Sequence, residues 1–171
     1  ELVIVESNHD LALSRWLTDN DVRISNDPEN IELYHKLNYY KFRDMRKDNL
    51  DVGEWCALQF AIDNVSDYSI NANWLRVDQR FTVAGVEMGF HGHTGANGSR
   101  GNPKQYKRLG VAVNTGHTHS PSIYGNVYTA GVSGKLDMGY NVGMSGWRHA
   151  HIVTYTNGQR QLLIKDGSSF Y

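Results

Sequence analysis

The stretch Leu2-Val3-Ile4-Val5-Glu6-Ser7-Asn8-His9-Asp10 decides the class of fold that this chain is expected to adopt. Its first part, Leu2 to Val5, is a continuous apolar run, which is typical of a strand that is buried on both faces. Its second part places Asn, His and Asp side chains directly past the end of that strand. The sequence therefore predicts an α/β protein with functional side chains at the edge of a sheet.

Two further runs of the same form occur later in the chain. Val86-Glu87-Met88 precedes Phe90-His91-Gly92-His93, and Val111-Ala112-Val113 precedes Gly116-His117-Thr118-His119. Three strand ends that offer Asn, His and His-x-His side chains are what a metal-dependent phosphoesterase needs. We therefore expect four side chains to converge at one edge of the sheets: Asn8, His91, His117 and His119.

The first third of the chain is predicted to be largely helical, over about 10–62. Apolar spacing predicts a short helix after Asp10 that ends near 19–21. The pair Asp27-Pro28 predicts the start of a second helix, because Asp is a good N-cap and Pro fits the first turn. Asp51 and Glu54 resemble a capping box, which predicts a third helix from Val52 to about Ile62.

The remainder of the chain, about 73–171, is predicted to be rich in strands. Gly125-Asn126 and Asn157-Gly158 are two-residue turns that predict hairpins. The glycine-rich stretches Gly92 to Gly110 and Gly131 to Gly146 are predicted to be loops. The predicted strands are Trp74–Val77, Phe81–Val83, Val86–Phe90, Val111–Asn114, Ile123–Tyr124, Val127–Thr129, Trp147–Tyr155 and Gln161–Lys165.

Composition indicates an ordinary globular protein, since 40% of the residues are hydrophobic, 20% are charged and the net charge is −1. The single cysteine, Cys56, is expected to be a buried small hydrophobe. We find no apolar run long enough to span a membrane and no signal peptide, so we expect a cytoplasmic protein with no membrane partner. A start directly on a strand, without Met, suggests a piece of a longer protein.

The histidine-rich runs leave alternatives open when each is taken by itself. His117 and His119 could both converge on a metal in the sharp turn that Gly116 implies, or both could be solvated loop residues. His91 is preferred over His93 as a ligand because it lies at the end of the predicted strand.

The run Asn8-His9-Asp10 also has two interpretations. An Asn carbonyl oxygen is a hard ligand that suits Mn²⁺, Fe or Mg²⁺. The adjacent His9 could then stabilise a phosphate oxygen or protonate the leaving alkoxide. The alternative is that Asn8 caps the helix that begins near Asp10, and that His9 is incidental.

Taken together, these runs resemble the second half of the calcineurin-like metallophosphoesterase superfamily. Ser7-Asn8-His9-Asp10 resembles its Gly-Asn-His-Asp/Glu motif, His91-Gly92 its isolated metal histidine, and Gly116-His117-Thr118-His119 its closing Gly-His-x-His motif. The order and spacing cover the chain from residue 1 to about 165. The resemblance implies a layered β-sandwich with flanking helices that is incomplete at the N-terminus.

The resemblance also implies a role for each matching residue. Asn8, His91 and His117 would ligate one metal, and His119 would ligate the other. His9 would stabilise the transition state or act as the general acid. Members of the family hold two divalent metals, here with manganese favoured over iron, zinc or magnesium, and a bridging hydroxide attacks phosphorus in line.

The chain departs from the family pattern in its acidic ligands. The opening Asp-x-His and Gly-Asp-x-x-Asp motifs have no counterpart here, and Ser7 replaces the usual Gly. Those motifs would lie upstream of Glu1 and would supply the bridging carboxylate. Residues 1–171 are therefore expected to be the C-terminal portion of a single domain in a longer parent. Alone, they should bind at most one metal and be inactive.

A basic segment suggests the substrate. Its four cations lie within nine residues between His91 and His117, with Tyr106 among them as a stacking surface. Such a segment could hold a DNA backbone, or it could be an ordinary solvated loop. The cations are Arg100, Lys104, Lys107 and Arg108.

The expected function is therefore phosphodiester hydrolysis, with DNA as the favoured substrate. Leu136-Asp137-Met138-Gly139-Tyr140-Asn141 adds a resemblance to phage-encoded family members, some of them linked to host-DNA degradation, which would place the protein in the host cytoplasm. Alternatives are a protein or small-molecule phosphatase, a non-catalytic metal- or nucleic-acid-binding module, and a cupin-type β protein. The sequence leaves oligomerisation open.

Overall fold

A computed structural model of the chain describes residues 1–19, 27–49, 55–66, 70–77, 79–167 and 169–170. The protein is mixed α/β, with several short sheets and helices, as the sequence predicts at this coarse level. The described strands form open sheets rather than a barrel. None of the described helices has the length and apolar character needed to cross a bilayer. The chain divides into two compact units, Glu1–Arg76 and Val77–Tyr171.

The described residues of the first unit include two parallel strands and three helices. β1 (Val3–Val5) pairs with β2 (Asn73–Leu75). The chain between these strands forms α1 (Asp10–Thr18), α2 (Pro28–Asp48) and α3 (Ala57–Asn64). Its core consists of buried side chains from the helices and from the residues just before α3: Leu17, Tyr34, Leu37, Trp55 and Ala57.

One predicted helix start in the first unit is confirmed, and another lies later in the chain than predicted. The Asp27 side chain accepts a hydrogen bond from the Glu29 N–H at 3.0 Å, as expected of an N-cap followed by Pro28. The proposed capping box before the third helix lies outside the described residues. That helix begins only at Ala57, because the backbone of Cys56 is extended with φ −93°.

The expected burial of the first strand on both faces is wrong. Leu2 is 52% exposed, and Val3–Val5 are only half-buried. The reason is that, among the described residues, β1 pairs with β2 alone, and a sheet of two strands has no broad faces for neighbouring elements to cover.

The second unit contains a five-stranded sheet and a three-stranded sheet. In the larger sheet the order is β3-β4-β5-β7-β6; β4, β5 and β7 are parallel, and the edge strands β3 and β6 pair antiparallel. In the smaller sheet the order is β10-β9-β8, all antiparallel. The strands are β3 (Thr82–Val83), β4 (Val86–Glu87), β5 (Ala112–Thr115), β6 (Ser122–Tyr124), β7 (Val127–Thr129), β8 (Ala150–Thr154), β9 (Arg160–Asp166) and β10 (Ser169–Phe170).

Arg160 of β9 connects the two sheets of the second unit. Its guanidinium donates hydrogen bonds to the carbonyl oxygens of Val113 and Asn126, both at 2.9 Å, and to Asn114 Oδ1 at 3.1 Å. It also lies over the ring of Tyr128, with 4.1 Å between the guanidinium carbon and the ring centroid. The smaller sheet therefore packs on one face of the larger sheet.

A short helix, α4 (Pro103–Lys107), covers the other face. Its Tyr106 is buried against Val113 and Val127. The prediction that Gly92 to Gly110 is a loop is therefore wrong for its second half. The Asn102 side chain accepts a hydrogen bond from the Gln105 N–H at 3.2 Å, so the helix has the same Asx-Pro start as α2.

Both predicted hairpins in the second unit are confirmed. Gly125 has φ 63° and lies in a two-residue turn, as predicted. Gly158 has φ 81°, but its loop is one residue longer, because the Tyr155 N–H donates to the Gln159 carbonyl and residues 156–158 form the loop. The strands themselves are shorter than predicted. For example, β4 covers only Val86–Glu87 of the predicted run Val86–Phe90, although the Met88 N–H still donates to the Phe81 carbonyl of the neighbouring segment.

Candidate functional site

The carboxyl ends of the parallel strands β4 and β5 meet at one edge of the five-stranded sheet. His91 follows β4, and His117 follows β5. The carbonyl oxygen of His91 accepts hydrogen bonds from the backbone N–H groups of Gly116, at 2.9 Å, and His117, at 3.0 Å. Hydrogen bonding between the two segments thus continues past the strands and holds the two histidine backbones side by side.

Three imidazole rings form a cluster at this edge. The ring centroids are 5.2 Å apart for His91 and His117, 5.5 Å for His91 and His93, and 6.1 Å for His93 and His117. Metal–nitrogen bonds of about 2.1 Å would place the centroids of three ligating imidazoles about 5 Å apart. The two contacts made by His91 are close to that spacing. We call His91, His93 and His117 the imidazole cluster.

Glycine permits the close approach of the segments that carry this cluster. Gly92 has φ 111°, and a Cβ atom there would lie 3.0 Å from Thr115 Cβ and 3.3 Å from His117 Cβ. A Cβ atom on Gly101 would lie 1.9 Å from the carbonyl oxygen of Gly92. Larger residues at these two positions would force the segments apart, and with them the imidazoles.

His93 belongs to the cluster although the sequence favoured His91 alone. Its Nδ1 atom is buried and has no hydrogen-bond partner among the described residues. A buried polar atom without a partner is costly, which makes this nitrogen a candidate ligand atom. The signal that could have identified it is the His-x-His spacing of His91 and His93, which repeats that of His117 and His119.

His119 lies in the same turn as His117, and its ring contacts a different aromatic group. Its backbone has φ 59°, and its ring lies edge-on to Trp147 with 4.3 Å between centroids. The two histidines of the Gly-His-x-His run are thus placed differently: His117 in the imidazole cluster, and His119 against an aromatic side chain.

The imidazole cluster of the second unit has some of the features of a metal site. Throughout the described part of the chain, no set of three or more His, Cys, Asp and Glu side chains is arranged to hold a metal ion. The imidazole cluster has the right donor type for Mn²⁺, Fe or Zn²⁺, but its His93–His117 spacing is wide for one ion.

In the first unit, the turn after β1 is fixed by a reciprocal pair of hydrogen bonds. The Ser7 Oγ accepts from the Asp10 N–H at 3.2 Å, and the Asp10 carboxylate accepts from the Ser7 N–H at 2.7 Å. This arrangement is a capping box that starts α1. The interpretation of Asn8 as the helix cap is therefore wrong, because Ser7 and Asp10 perform that role.

The Asn8 side chain has a buried oxygen atom whose hydrogen-bonding capacity is unused among the described residues. Its Oδ1 atom is buried and has no hydrogen-bond partner among the described residues, while its backbone carbonyl accepts from Arg15 at 3.0 Å. His9 is exposed, and its side chain makes no capping hydrogen bond. An orphaned amide oxygen is the atom that a hard cation would use, so Asn8 fits the chemistry of a ligand.

Cys56 lies beside a buried ion pair of the same unit. Glu6 pairs with Arg76 at 3.3 Å, and the Cys56 thiol donates to Glu6 at a sulfur–oxygen distance of 3.7 Å. Burial raises the pKa of the Cys56 thiol, so it stays protonated at neutral pH. The expectation that Cys56 is buried is confirmed by its exposure of 8%.

Glu87 is a buried carboxylate that the sequence analysis missed. It is 3% exposed and accepts hydrogen bonds from the backbone N–H groups of Phe81 (2.8 Å) and Gly89 (3.0 Å) and from Arg80 Nε (2.9 Å). Burial by itself would raise the pKa of Glu87, but these donors outweigh it, and the pKa is lowered. Because its backbone donors lie on both sides of β4, Glu87 fixes the chain that leads from β4 to His91.

The basic segment starts beside the imidazole cluster and extends to the far end of the sheet. The Gly101 N–H donates to the carbonyl oxygen of His93 at 2.9 Å. At the other end, the Lys107 ammonium lies 5.0 Å from the ring centroid of Tyr124. Since Tyr124 directly precedes the turn into β7, Lys107 lies at the opposite strand ends from His117. The four cations, Arg100, Lys104, Lys107 and Arg108, are all exposed.

Tyr106 is not available as a stacking surface, contrary to the sequence-based expectation. It is 3% exposed, its ring stacks on Phe90, and its hydroxyl donates to the carbonyl oxygen of Thr94. Helical periodicity explains the difference, because α4 turns Tyr106 towards the sheet and its lysines towards solvent. The exposed aromatic ring of this region is Tyr124.

Comparison with known proteins gives one relative of phage origin. Protein A1 of Escherichia phage T5 is 56% identical over 173 residues, which cover 99% of this chain and 30% of that protein. The chain thus spans less than a third of the length of this relative. No protein-family profile matches the chain, and no solved structure matches it.

Proposed function

We propose that this chain is part of a longer metal-dependent phosphoesterase of the calcineurin-like superfamily, with DNA as its substrate. The observation that carries the proposal is the imidazole cluster at the ends of two parallel strands. Nitrogen donors brought together by glycine-mediated backbone contacts are suited to a divalent metal. The two packed sheets linked by Arg160 support a layered sandwich as the fold of the parent.

In this proposal the metal ligands are those that the motifs indicate. Asn8, His91 and His117 would hold one divalent ion, and His119 would contribute to a second. The orphaned Oδ1 of Asn8 supports its ligand role, and the orphaned Nδ1 of His93 makes that residue an additional candidate beyond the motifs. Manganese is favoured because amide oxygen and imidazole together suit it. When bound, the metals would supply an activated nucleophile and stabilise charge on phosphorus. The 171-residue chain alone binds at most one ion.

His9 is proposed to act on the substrate rather than on the metal. Its side chain is exposed and makes no capping bond, so its imidazole is accessible to a phosphoester. A general acid at this position contributes about 10²- to 10⁴-fold to turnover. In the full-length protein, His9→Ala should lower turnover by that factor and leave the metal content unchanged.

DNA is the favoured substrate because of the basic segment. It joins His93 to the far end of the sheet. All of its charged side chains are cations, because no carboxylate occurs between Arg100 and Arg108. A row of exposed cations that begins beside a hydrolytic centre suits a polyanion that extends beyond the scissile phosphate.

Titration calorimetry of the chain with Mn²⁺ tests the metal assignment. The wild-type chain should bind at most one ion, and His117→Ala should abolish that binding. His151→Ala is the matched control, since His151 is an exposed histidine of β8. Two tight ions per chain, or unaltered binding by His117→Ala, would contradict the assignment.

A salt titration of DNA binding, run in parallel, tests the substrate. Changing Arg100, Lys104, Lys107 and Arg108 to Gln should reduce the log–log slope by about 0.9 for each lost phosphate contact on duplex DNA. The control replaces four exposed cations of α2, Lys36, Arg43, Arg46 and Lys47. Equal slopes in both variants would favour a phosphatase with a small substrate.

A further inference from the structure

The segment between β7 and β8 displays apolar side chains to solvent. Within residues 135–147, every second residue from Leu136 to Met144 is large and apolar, and none of them is buried. Met138 is 53% exposed, Tyr140 56%, Val142 95% and Met144 105%. Exposed apolar side chains in such a continuous group mark an interaction surface. We call residues 135–147 the display segment.

The first half of the display segment, residues 136–141, is held in one shape by its own polar side chains. The Asp137 carboxylate accepts from the Gly139 N–H at 2.9 Å. Asn141 accepts from the Met138 N–H at 3.0 Å and donates to the Leu136 carbonyl at 3.0 Å. The apolar side chains from Leu136 to Tyr140 are therefore presented by a preformed turn, which directly precedes Val142 and Met144 and lowers the entropic cost of binding a partner.

Aromatic contacts connect the display segment to the Gly-His-x-His turn. Trp147 lies 4.3 Å from the His119 ring, and Tyr140 lies 5.8 Å from the Trp147 ring. The backbone joins as well, since the Arg148 N–H donates to the His119 carbonyl at 3.4 Å. A row of rings thus runs from His119 through Trp147 to the exposed Tyr140.

A cleft with basic side chains lies at the base of the display segment. Its volume is about 490 Å³. The lining residues are Leu136, Arg148, His149, Lys165, Asp166 and Gly167. Arg148 and Lys165 are exposed cations, Asp166 is the acidic group of the lining, and the His149 Nε2 is engaged with the Gly134 carbonyl at 2.8 Å. Two cations in a cleft of this size suit a phosphate group.

We propose that the display segment binds the bases of a nucleic acid whose backbone lies in the Arg148–Lys165 cleft. Val142 and Met144 insert against base steps, as apolar wedges do in other nucleic-acid complexes, and Tyr140 stacks on a base. The order of chemical groups along this surface favours a nucleotide chain as the ligand. Aromatic rings begin at His119, exposed apolar side chains follow, and the cations Arg148 and Lys165 lie at the base of the segment. The inference rests on the proposed function, in which His119 belongs to the centre that acts on DNA.

A duplex containing 2-aminopurine tests the insertion in the presence of chelator, so that binding is measured apart from hydrolysis. Binding of the wild-type chain should raise the probe fluorescence, because an inserted side chain unstacks the base. Val142→Ser with Met144→Ser should remove that rise, and Tyr140→Ala should weaken binding about tenfold. Ile123→Ser is the matched control, since Ile123 is a 54% exposed apolar residue of β6.

Four outcomes of this experiment are distinguishable. Loss of the fluorescence rise in the double variant, with an unchanged rise in the control, supports the inference. Equal binding and fluorescence in the double variant and the wild type would overturn it and leave the proposed function intact. No DNA binding by the wild-type chain would overturn both the inference and DNA as the substrate. Self-association that the double variant abolishes, without a change in the probe, would identify a protein interface and overturn the inference.

Discussion

The turn after β1 and the turn after β5 both carry candidate ligands, but different interactions fix them. Around Asn8, hydrogen bonds between Ser7 and Asp10 define the turn within four residues. Around His117, backbone bonds to His91 and the close approach of Gly92 define it from 25 residues away in sequence. The first turn depends on local chemistry, and the second depends on the packing of a whole sheet.

This difference predicts how each turn responds to mutation. Removing a core side chain far from the histidines should disturb the imidazole cluster, because the sheet positions it. Removing a single hydroxyl should disturb the turn at Asn8, because that hydroxyl and one carboxylate position it. Three substitutions, taken from the largest expected effect to the smallest, test this contrast.

Tyr106→Ala should give the largest effect, a loss of about 3–5 kcal/mol in the stability of the second unit. Tyr106 is buried against Val113 and Val127, so its removal leaves a cavity beside β5 and β7. Amide hydrogen exchange of those two strands measures the loss. Tyr124→Ala is the control, since Tyr124 is 39% exposed. Equal protection in the two variants would show that the core does not position the strand ends.

Glu87→Gln should cost about 2 kcal/mol, since hydrogen bonds to a buried charged group are lost or weakened. The pKa of Glu87 is lowered in the folded protein, so its contribution to stability is fully present well above the unfolded value of about 4.3. That contribution is lost as the pH falls through the folded pKa. Urea unfolding measured between pH 7 and pH 3 should therefore show a smaller acid dependence in the variant.

Asp137→Asn provides the comparison for Glu87→Gln, because Asp137 is an exposed carboxylate of the same unit. It should keep the acid dependence of the wild type. If the stability of both variants depends on pH alike, ionised Glu87 does not stabilise the fold as proposed. The chain from β4 to His91 is then held by other contacts.

The sequence predicts the locally determined parts of this molecule. Asp27 before Pro28, and the glycines in the two hairpin turns, act through the backbone conformation of a few residues, and the structure has them as expected. The parts that fail depend on distant residues. The burial of Tyr106 follows from α4 lying on the sheet, and the placement of His93 follows from Gly92 packing on Thr115.

The candidate site divides in the same way. The runs at Asn8 and at Gly116 could be recognised from residue types and from their position after apolar strands. The role of Ser7 and Asp10 as the cap was missed because Asn is itself a common N-cap, and only the hydrogen bonds distinguish the two. Glu87 was missed because its partners, Phe81 and Gly89, offer backbone groups that have no residue-type signal.

Ser7→Ala should give the smallest effect, about 1 kcal/mol, because the Oγ atom that accepts from the N–H groups of His9 and Asp10 is lost. Ser7→Gly should cost only a few tenths of a kcal/mol, since glycine is tolerated at a helix N-cap. Ser14→Ala is the control within α1, because the Ser14 Oγ is buried and has no partner among the described residues; it should be neutral or slightly stabilising. Urea midpoints of the three variants give the order. If Ser7→Ala proves as neutral as Ser14→Ala, the turn at Asn8 is not fixed locally, and the contrast with the turn at His117 fails.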